Sequence, residues 1–92
     1  MKKHQMRLGS LVKGYRLKMC LTQLELANRL DYSITQFVSL MENGHSKIPL
    51  TILGKLISIL SIPEKKALDL LVEIYKIEAK ASISKGRKKF TS

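Results

Sequence analysis

The segment LTQLELANRLDYSITQFVSLMENG, residues 21–44, decides how this chain folds, because it contains two short helical patterns joined by a polar turn. Thr22 and Glu25 have the spacing of a capping box, in which each side chain binds the backbone N–H of the other residue. A helix is therefore predicted to begin here. The residues at helical spacing that form its buried side are Leu26, Ala27 and Leu30.

The second helical pattern of this segment covers residues 33–43, and Gly44 after it is a residue that commonly ends a helix. Its inward-facing positions are apolar: Ile34, Phe37, Val38 and Met41. Its outward-facing positions are uncharged: Gln36, Ser39, Leu40 and Asn43. Two helices this close together, the second with an outer face that can donate and accept hydrogen bonds, are typical of a helix-turn-helix.

The rest of the chain also carries helical periodicity, and no strand-like alternation interrupts it. Further helices are predicted over residues 5–19, 49–60 and 62–81, the last of them extended. The sequence therefore predicts an all-α, five-helix domain over residues 1–83, with the helix-turn-helix at 22–44. Residues 84–92 have no apolar periodicity and are predicted to form a flexible basic tail. The tail is either a solvated end or an element that adds sequence-independent affinity for phosphate.

The net charge of +10 favours a polyanionic partner, and its distribution is uneven. Residues 1–20 carry six Lys or Arg and no acid, residues 84–92 carry four, and residues 21–44 have a net charge of −2. Basic ends around a neutral centre suit a partner held by its phosphates and read by uncharged side chains. The alternative is that these charges only form a solvated surface and bind no partner.

Other classes of function lack a supporting pattern in the sequence. The single cysteine, Cys20, allows no intrachain disulfide, which fits a reducing cytoplasm, and it is expected to be a small buried residue. His4, His45 and Cys20 lack the paired spacing of zinc ligands. No catalytic constellation, cofactor motif, signal peptide or membrane span is recognised, so the chain is predicted to be a cytoplasmic protein that is not an enzyme and needs no metal or cofactor.

Residues 8–62 resemble the phage-repressor/Cro-like (Xre-type) helix-turn-helix family. The resemblance rests on LTQLELANRL, VSLMENG and the apolar LTILGKLISIL, together with Arg16 before the motif. It implies a transcriptional regulator, of bacterial or phage origin and associated with the nucleoid, that places the second helix of the motif in the DNA major groove.

Individual roles follow from the resemblance position by position. Gln23 matches a glutamine that contacts the DNA backbone, and Arg16 with Glu42 matches an ion pair that ties the first helix to the end of the recognition helix. The recognition-helix positions expected at DNA are Ser33, Thr35, Gln36, Ser39 and Leu40. The phosphate-gripping positions in the turn that follows are Asn43, His45, Ser46 and Lys47.

The chain departs from the family pattern in two ways. One extra residue separates Leu30 from Val38, so the register of residues 33–36 is open by one position. Cys20 and Asp31 stand where glycine is frequent, which predicts strain in both turns.

Three of these residues also have a purely structural interpretation. Gln36 follows Ser33 at the spacing of a second capping box, so its amide could serve the backbone instead of a base. Leu40 could contact a thymine methyl group or a neighbouring side chain. Asn43 could bind phosphate or simply end its helix.

The function expected from these observations is sequence-specific binding of double-stranded DNA by a repressor-type homodimer that reads an inverted repeat. The predicted fifth helix has more apolar surface than one stripe, which favours a dimer interface; packing within one chain is the alternative. A rival function is an antitoxin-like module that neutralises a protein partner. A second rival is nonspecific binding of RNA or an anionic membrane by the basic ends.

Overall fold

The computed structural model describes residues 3–31 and 35–91, and within these ranges the chain forms five α-helices and no β-strand. They are α1 (Lys3–Lys18), α2 (Gln23–Arg29), α3 (Gln36–Glu42), α4 (Leu50–Leu60) and α5 (Glu64–Thr91). The predicted all-helical, five-helix architecture with a long fifth helix is confirmed.

The core lies where α1 packs against α3, α4 and α5, while α2 packs against α3. Apolar residues from all five helices meet there, and burying them is the main driving force for the fold. The largest completely enclosed side chains are Val12, Leu26, Leu30, Val38, Met41, Leu56 and Leu60. Leu26 and Leu30 confirm the predicted buried stripe of α2, and Ala27 between them is also fully buried.

The start of α2 is the predicted capping box. The Glu25 N–H donates to Thr22 Oγ1 at 3.0 Å, and the Thr22 N–H donates to Glu25 Oε1 at 2.8 Å. These two N–H groups lie at the start of the helix, where no earlier helical carbonyl is available to accept from them. The capping box supplies their acceptors. This local interaction fixes where the helix-turn-helix begins.

The start of α3 differs from the prediction. The helix begins at Gln36, because its first bond runs from the Ser39 N–H to the Thr35 carbonyl at 3.0 Å. Thr35 precedes the helix and makes no capping bond with its side chain. The predicted first residue, Ser33, and the predicted inward residue Ile34 lie outside the described residues.

The end of α3 is the predicted glycine turn. Gly44 has φ of 75°. The His45 N–H donates to the Leu40 carbonyl at 2.9 Å, and the Gly44 N–H donates to the Met41 carbonyl at 3.2 Å. This pair of bonds is a Schellman motif, and it sets the direction in which residues 45–47 leave the helix.

The two turns predicted to carry strain both contain a left-handed residue, with φ of 57° at Cys20 and 65° at Asp31. The prediction that Cys20 is buried is wrong, because its side chain is exposed. Cys20 follows the end of α1, where the Leu21 N–H turns back to the Arg16 carbonyl at 3.2 Å. The turn directs Leu21 into the core and leaves Cys20 outside it.

The last helix is longer than predicted. Instead of ending near residue 81 before a flexible tail at 84–92, α5 continues to Thr91, with Gly86 inside it. The prediction failed because apolar periodicity reports on packing, whereas residues 82–91 contain three Lys and one Arg, which favour helix without a core. No helix in residues 3–31 or 35–91 combines the length and the hydropathy needed to cross a membrane.

Candidate nucleic-acid interface

The outward side of α3 carries the predicted uncharged residues. Gln36, Leu40 and Asn43 are exposed and Ser39 is half-buried, whereas Val38 and Met41 on the other side are completely enclosed. The predicted division of this helix into an inner and an outer face is therefore confirmed for its described residues. The Asn43 amide donates to Ser39 Oγ at 3.3 Å, so these two polar groups are held next to each other.

The only ionisable side chain of α3, Glu42, points away from the outward face and into the protein. Arg16 donates to its carboxylate through Nε at 2.7 Å and Nη2 at 3.0 Å, and through Nη1 to the Leu21 carbonyl at 2.8 Å. The two side chains are only 7% and 1% exposed. The predicted Arg16–Glu42 pair is confirmed, and it ties α1, the turn before α2, and the end of α3 together.

Gln23 has a structural contact that the sequence did not predict. Its amide Nε2 donates to Glu42 Oε1 at 3.1 Å, and the side chain is half-buried at the start of α2. The contact joins the first residue of α2 to the last residue of α3. Its second N–H is not used in this bond and can donate to an anionic oxygen such as that of a phosphate.

The turn after α3 presents its polar groups beside that helix. His45 and Lys47 are exposed, while Ser46 is half-buried and its hydroxyl donates to the Lys47 carbonyl at 3.5 Å. Lys47 Nζ lies 3.9 Å from Glu78 Oε1 of α5. The turn predicted to grip phosphates is thus held between the end of α3 and the middle of α5.

Two glycines set the position of α3, and neither role was predicted. A Cβ on Gly9 of α1 would overlap the Met41 carbonyl oxygen and stand 2.7 Å from the Glu42 carbonyl oxygen. A Cβ on Gly44 would stand 2.6 Å from the side chain of Met6. The sequence could not indicate the Gly9 contact, because a close approach between distant segments leaves no local signal.

Exposed carboxylates around this scaffold have shifted pKa values with clear causes. The Thr22 backbone N–H, which donates to Glu25, and the Thr22 hydroxyl together hold the pKa of that carboxyl below its ordinary value. The Arg7 guanidinium donates to both Glu73 oxygens at 3.1 Å, which lowers the pKa of Glu73 and raises that of Arg7. The Arg7–Glu73 ion pair joins α1 to α5.

The described part of the structure thus contains nine of the ten residues predicted to contact DNA, on α3 or directly before it, at the start of α2, and in the turn between α3 and α4. Thr35 is half-buried just before α3, and Ser33 lies outside the described residues. Within residues 3–31 and 35–91, no three His, Cys, Asp or Glu side chains come close enough to hold a metal ion. The absence of catalytic, metal and cofactor sites stays a prediction.

Comparison with protein-family models, with curated proteins and with solved structures finds no match for this chain. The chemistry available to the site is therefore defined by its geometry. An exposed helix face bearing an amide, a hydroxyl and an aliphatic side chain, with a lysine at its end, can make hydrogen bonds and apolar contacts to base edges and an ionic contact to phosphate.

Proposed function

We propose that this protein binds double-stranded DNA sequence-specifically as a transcriptional regulator, with α3 as the recognition helix in the major groove. The observation that carries the proposal is the outward face of α3, which is exposed and uncharged because its one carboxylate is buried against Arg16. A face of this kind can distinguish base pairs, whereas a lysine-rich face would bind phosphates of any sequence.

Residues around α3 have matching roles in this proposal. Gln36 and Ser39 offer hydrogen bonds to base edges, and Leu40, which is 37% exposed, offers apolar contact to a thymine methyl group. Gln36 is the first residue of α3, so its side chain stands at the end of the helix that enters the groove first in helix-turn-helix proteins. Asn43 and Lys47 follow at the other end and would contact the DNA backbone.

The excess of basic residues supports a polyanionic partner. The chain carries 17 Lys or Arg against seven acids, while the outward face of α3 carries none of either. Phosphate contacts would then supply most of the affinity and α3 the discrimination. We place this function in the cytoplasm because a single exposed thiol stays reduced in a reducing compartment.

We also propose that the active form is a homodimer that contacts two half-sites of an inverted repeat, about 34 Å apart. The support is on α5, where Leu68, Val72, Tyr75 and Ile83 recur at helical spacing and are all exposed. Leu70 and Leu71 pack on the core and Ile74 is buried in it. The helix therefore has apolar residues on two sides, one that packs within the chain and one that is exposed. Blocking of a promoter by the bound dimer would make the protein a repressor.

The proposal is tested by selecting bound fragments from random duplex DNA at about 150 mM salt, where nonspecific ionic binding is weakened. The expected product is an inverted repeat. Recovery of random sequences, or equal affinity for the selected site and a scrambled site, would overturn the proposal and favour nonspecific binding by the basic ends.

Two variants separate base reading from phosphate binding. Gln36→Ala is expected to change the base preference at one position of each half-site, at a cost of about 1–3 kcal/mol for the preferred base. Lys47→Ala is expected to weaken binding to all sequences alike and to reduce the salt slope by roughly one unit. An unchanged base preference in Gln36→Ala would show that this amide serves the protein backbone and does not contact a base.

A further inference from the structure

The C-terminal part of α5 extends beyond the core as a basic helix. Every residue from 80 to 89 is exposed. This part of the chain contains no acid after Glu78, whereas its cations are Lys80, Lys85, Arg87, Lys88 and Lys89. We call residues 79–91 the C-terminal arm. Its length of thirteen residues corresponds to about 20 Å of helix.

The side of α5 that packs against the core becomes basic in the arm. Ala67 and Ile74 are buried on this side. Side chains separated by three or four residues lie on the same side of a helix, so the same side continues through Glu78 and Ala81 to Lys85 and Lys88. The inward-facing cations of the arm are therefore directed to the side of α5 on which the globular domain lies.

These cations are placed beside the turn that follows α3. Lys47 of that turn lies 3.9 Å from Glu78, the last residue before the arm. A concave surface next to this contact has three lysines, two serines, two apolar residues and one acid in its lining: Lys47, Lys85, Lys88, Ser82, Ser84, Ile77, Ala81 and Glu78. Its lysines and hydroxyls suit an anionic oxygen ligand, and Glu78 cannot neutralise three lysines.

We propose that the C-terminal arm is a second binding surface for the phosphate backbone of duplex DNA, adjoining the backbone contact made by the turn at 45–47. The inference rests on the proposed function, which places that turn at the DNA. An arm of about 20 Å runs past roughly six phosphates of one strand, which are 3.4 Å apart along the helix axis. The protein thus contacts backbone beyond the bases that α3 reads.

Phosphate also suits the electrostatics of the arm itself. Lys88 and Lys89 lie in the last turn of α5, where the helix dipole favours positive charge. The arm makes few packing interactions, and repulsion among its cations opposes an isolated helix. Neutralisation by phosphates removes that repulsion, so binding and helix formation support each other.

The test compares two triple variants with the same change in net charge. The first is Lys85→Ala, Lys88→Ala and Lys89→Ala, on the side of α5 that faces the domain. The control is Lys65→Ala, Lys66→Ala and Lys76→Ala, three exposed lysines in the part of the same helix that precedes the arm. Alanine retains helix propensity, so both variants are expected to keep the far-ultraviolet circular dichroism of the wild-type protein.

The measurement is the dependence of affinity on salt for the duplex site selected by the wild-type protein. Each phosphate contact contributes about −0.9 to the slope of log K against log salt. The first variant is expected to lose two to three units of slope with its base preference unchanged, and the control less than one unit. Phosphate ethylation interference is expected to show backbone contacts outside the half-site that disappear only in the first variant.

Three results would contradict these proposals, and each leads to a different conclusion. If the wild-type protein selects a sequence but both triple variants have the same salt slope, the arm does not bind the DNA backbone. If the first variant loses binding to phosphatidylserine vesicles while its DNA slope is unchanged, the surface serves a membrane. If the wild-type protein selects no sequence at all, the proposed function itself fails.

Discussion

Gln23 and Glu42 are joined by a 3.1 Å hydrogen bond from the glutamine amide to Oε1 of the carboxylate, so the first residue of α2 is anchored to the last residue of α3. The same oxygen accepts from Arg16 Nη2 at 3.0 Å. A residue expected from the sequence to face DNA is therefore also part of the scaffold. The two roles are compatible, because the second amide N–H is not used in this contact and can donate to a phosphate oxygen.

Removing the buried charge at position 42 should be costly. Glu42→Gln leaves the 7%-exposed Arg16 side chain without its counter-ion, and we expect a loss of about 3–5 kcal/mol in the free energy of unfolding, measured with urea. Replacing both residues by apolar ones (Arg16→Met with Glu42→Leu) is expected to cost much less than the sum of the single changes. A loss below about 1 kcal/mol in Glu42→Gln would contradict a desolvated ion pair.

The close approach of α1 to α3 gives a prediction with an internal control. Gly9→Ala places a methyl group against the carbonyl oxygens of Met41 and Glu42, and we expect a loss of about 1–3 kcal/mol in the free energy of unfolding. Gly14→Ala lies in the same helix with nothing within 4 Å of the new Cβ. It should stabilise the protein by about 0.5–1 kcal/mol. Equal effects of the two substitutions would exclude the observed packing of α1 on α3.

The capping box of α2 predicts a dependence of stability on pH. Because the Thr22 contacts lower the pKa of Glu25 in the folded state, the carboxylate stabilises the fold above its ordinary pKa of 4.5. This contribution is lost as pH falls from about 4.5 through the lowered folded-state value. At pH 7 the free energy of unfolding, measured with urea, should therefore be larger for the wild-type protein than for Glu25→Gln.

The difference between these two proteins should shrink as pH falls below about 4.5, because the wild-type carboxyl becomes protonated first in the unfolded and then in the folded state. A difference that stays constant from pH 7 to pH 3 would mean that the charge on Glu25 contributes nothing to capping. Thr22→Ala removes the other half of the box and should cost about 1 kcal/mol at neutral pH.

The outward stripe of α5 predicts the oligomeric state. Val72→Lys is expected to convert the proposed homodimer to a monomer in sedimentation equilibrium and to lower the affinity for an inverted repeat more than for a single half-site. Leu17→Lys is the matched control, because Leu17 on α1 and Val72 are both 55% exposed. A monomeric wild-type protein would refute the homodimer, and a distinct small protein that co-purifies through Val72 would favour the antitoxin-like function.

Much of the site was predictable because its signals are local. The capping box at Thr22, the glycine turn at Gly44 and the inner and outer sides of α3 each depend on residues within one or two helical turns. The Arg16–Glu42 pair is a long-range contact, and its prediction came from the resemblance to a family and not from periodicity.

The parts that were not predictable depend on contacts between distant segments or on segments without a core. The requirement for glycine at position 9 comes from the backbone of α3, which is far from α1 in sequence. Cys20 looked like a core residue because a small apolar side chain is usually buried, but the left-handed turn directs it outward. The helix after residue 81 was missed because it has no apolar periodicity to report it.

The amino-acid sequence by itself determined the helical class, the start of α2, the end of α3 and the uncharged outer face of that helix, since backbone capping and side-chain periodicity act within a few residues. Only the tertiary structure decided which glycines are indispensable, what Gln23 binds, and which lysines of α5 stand beside the turn after α3. Those outcomes depend on how helices distant in sequence are brought into contact by burial of the shared core.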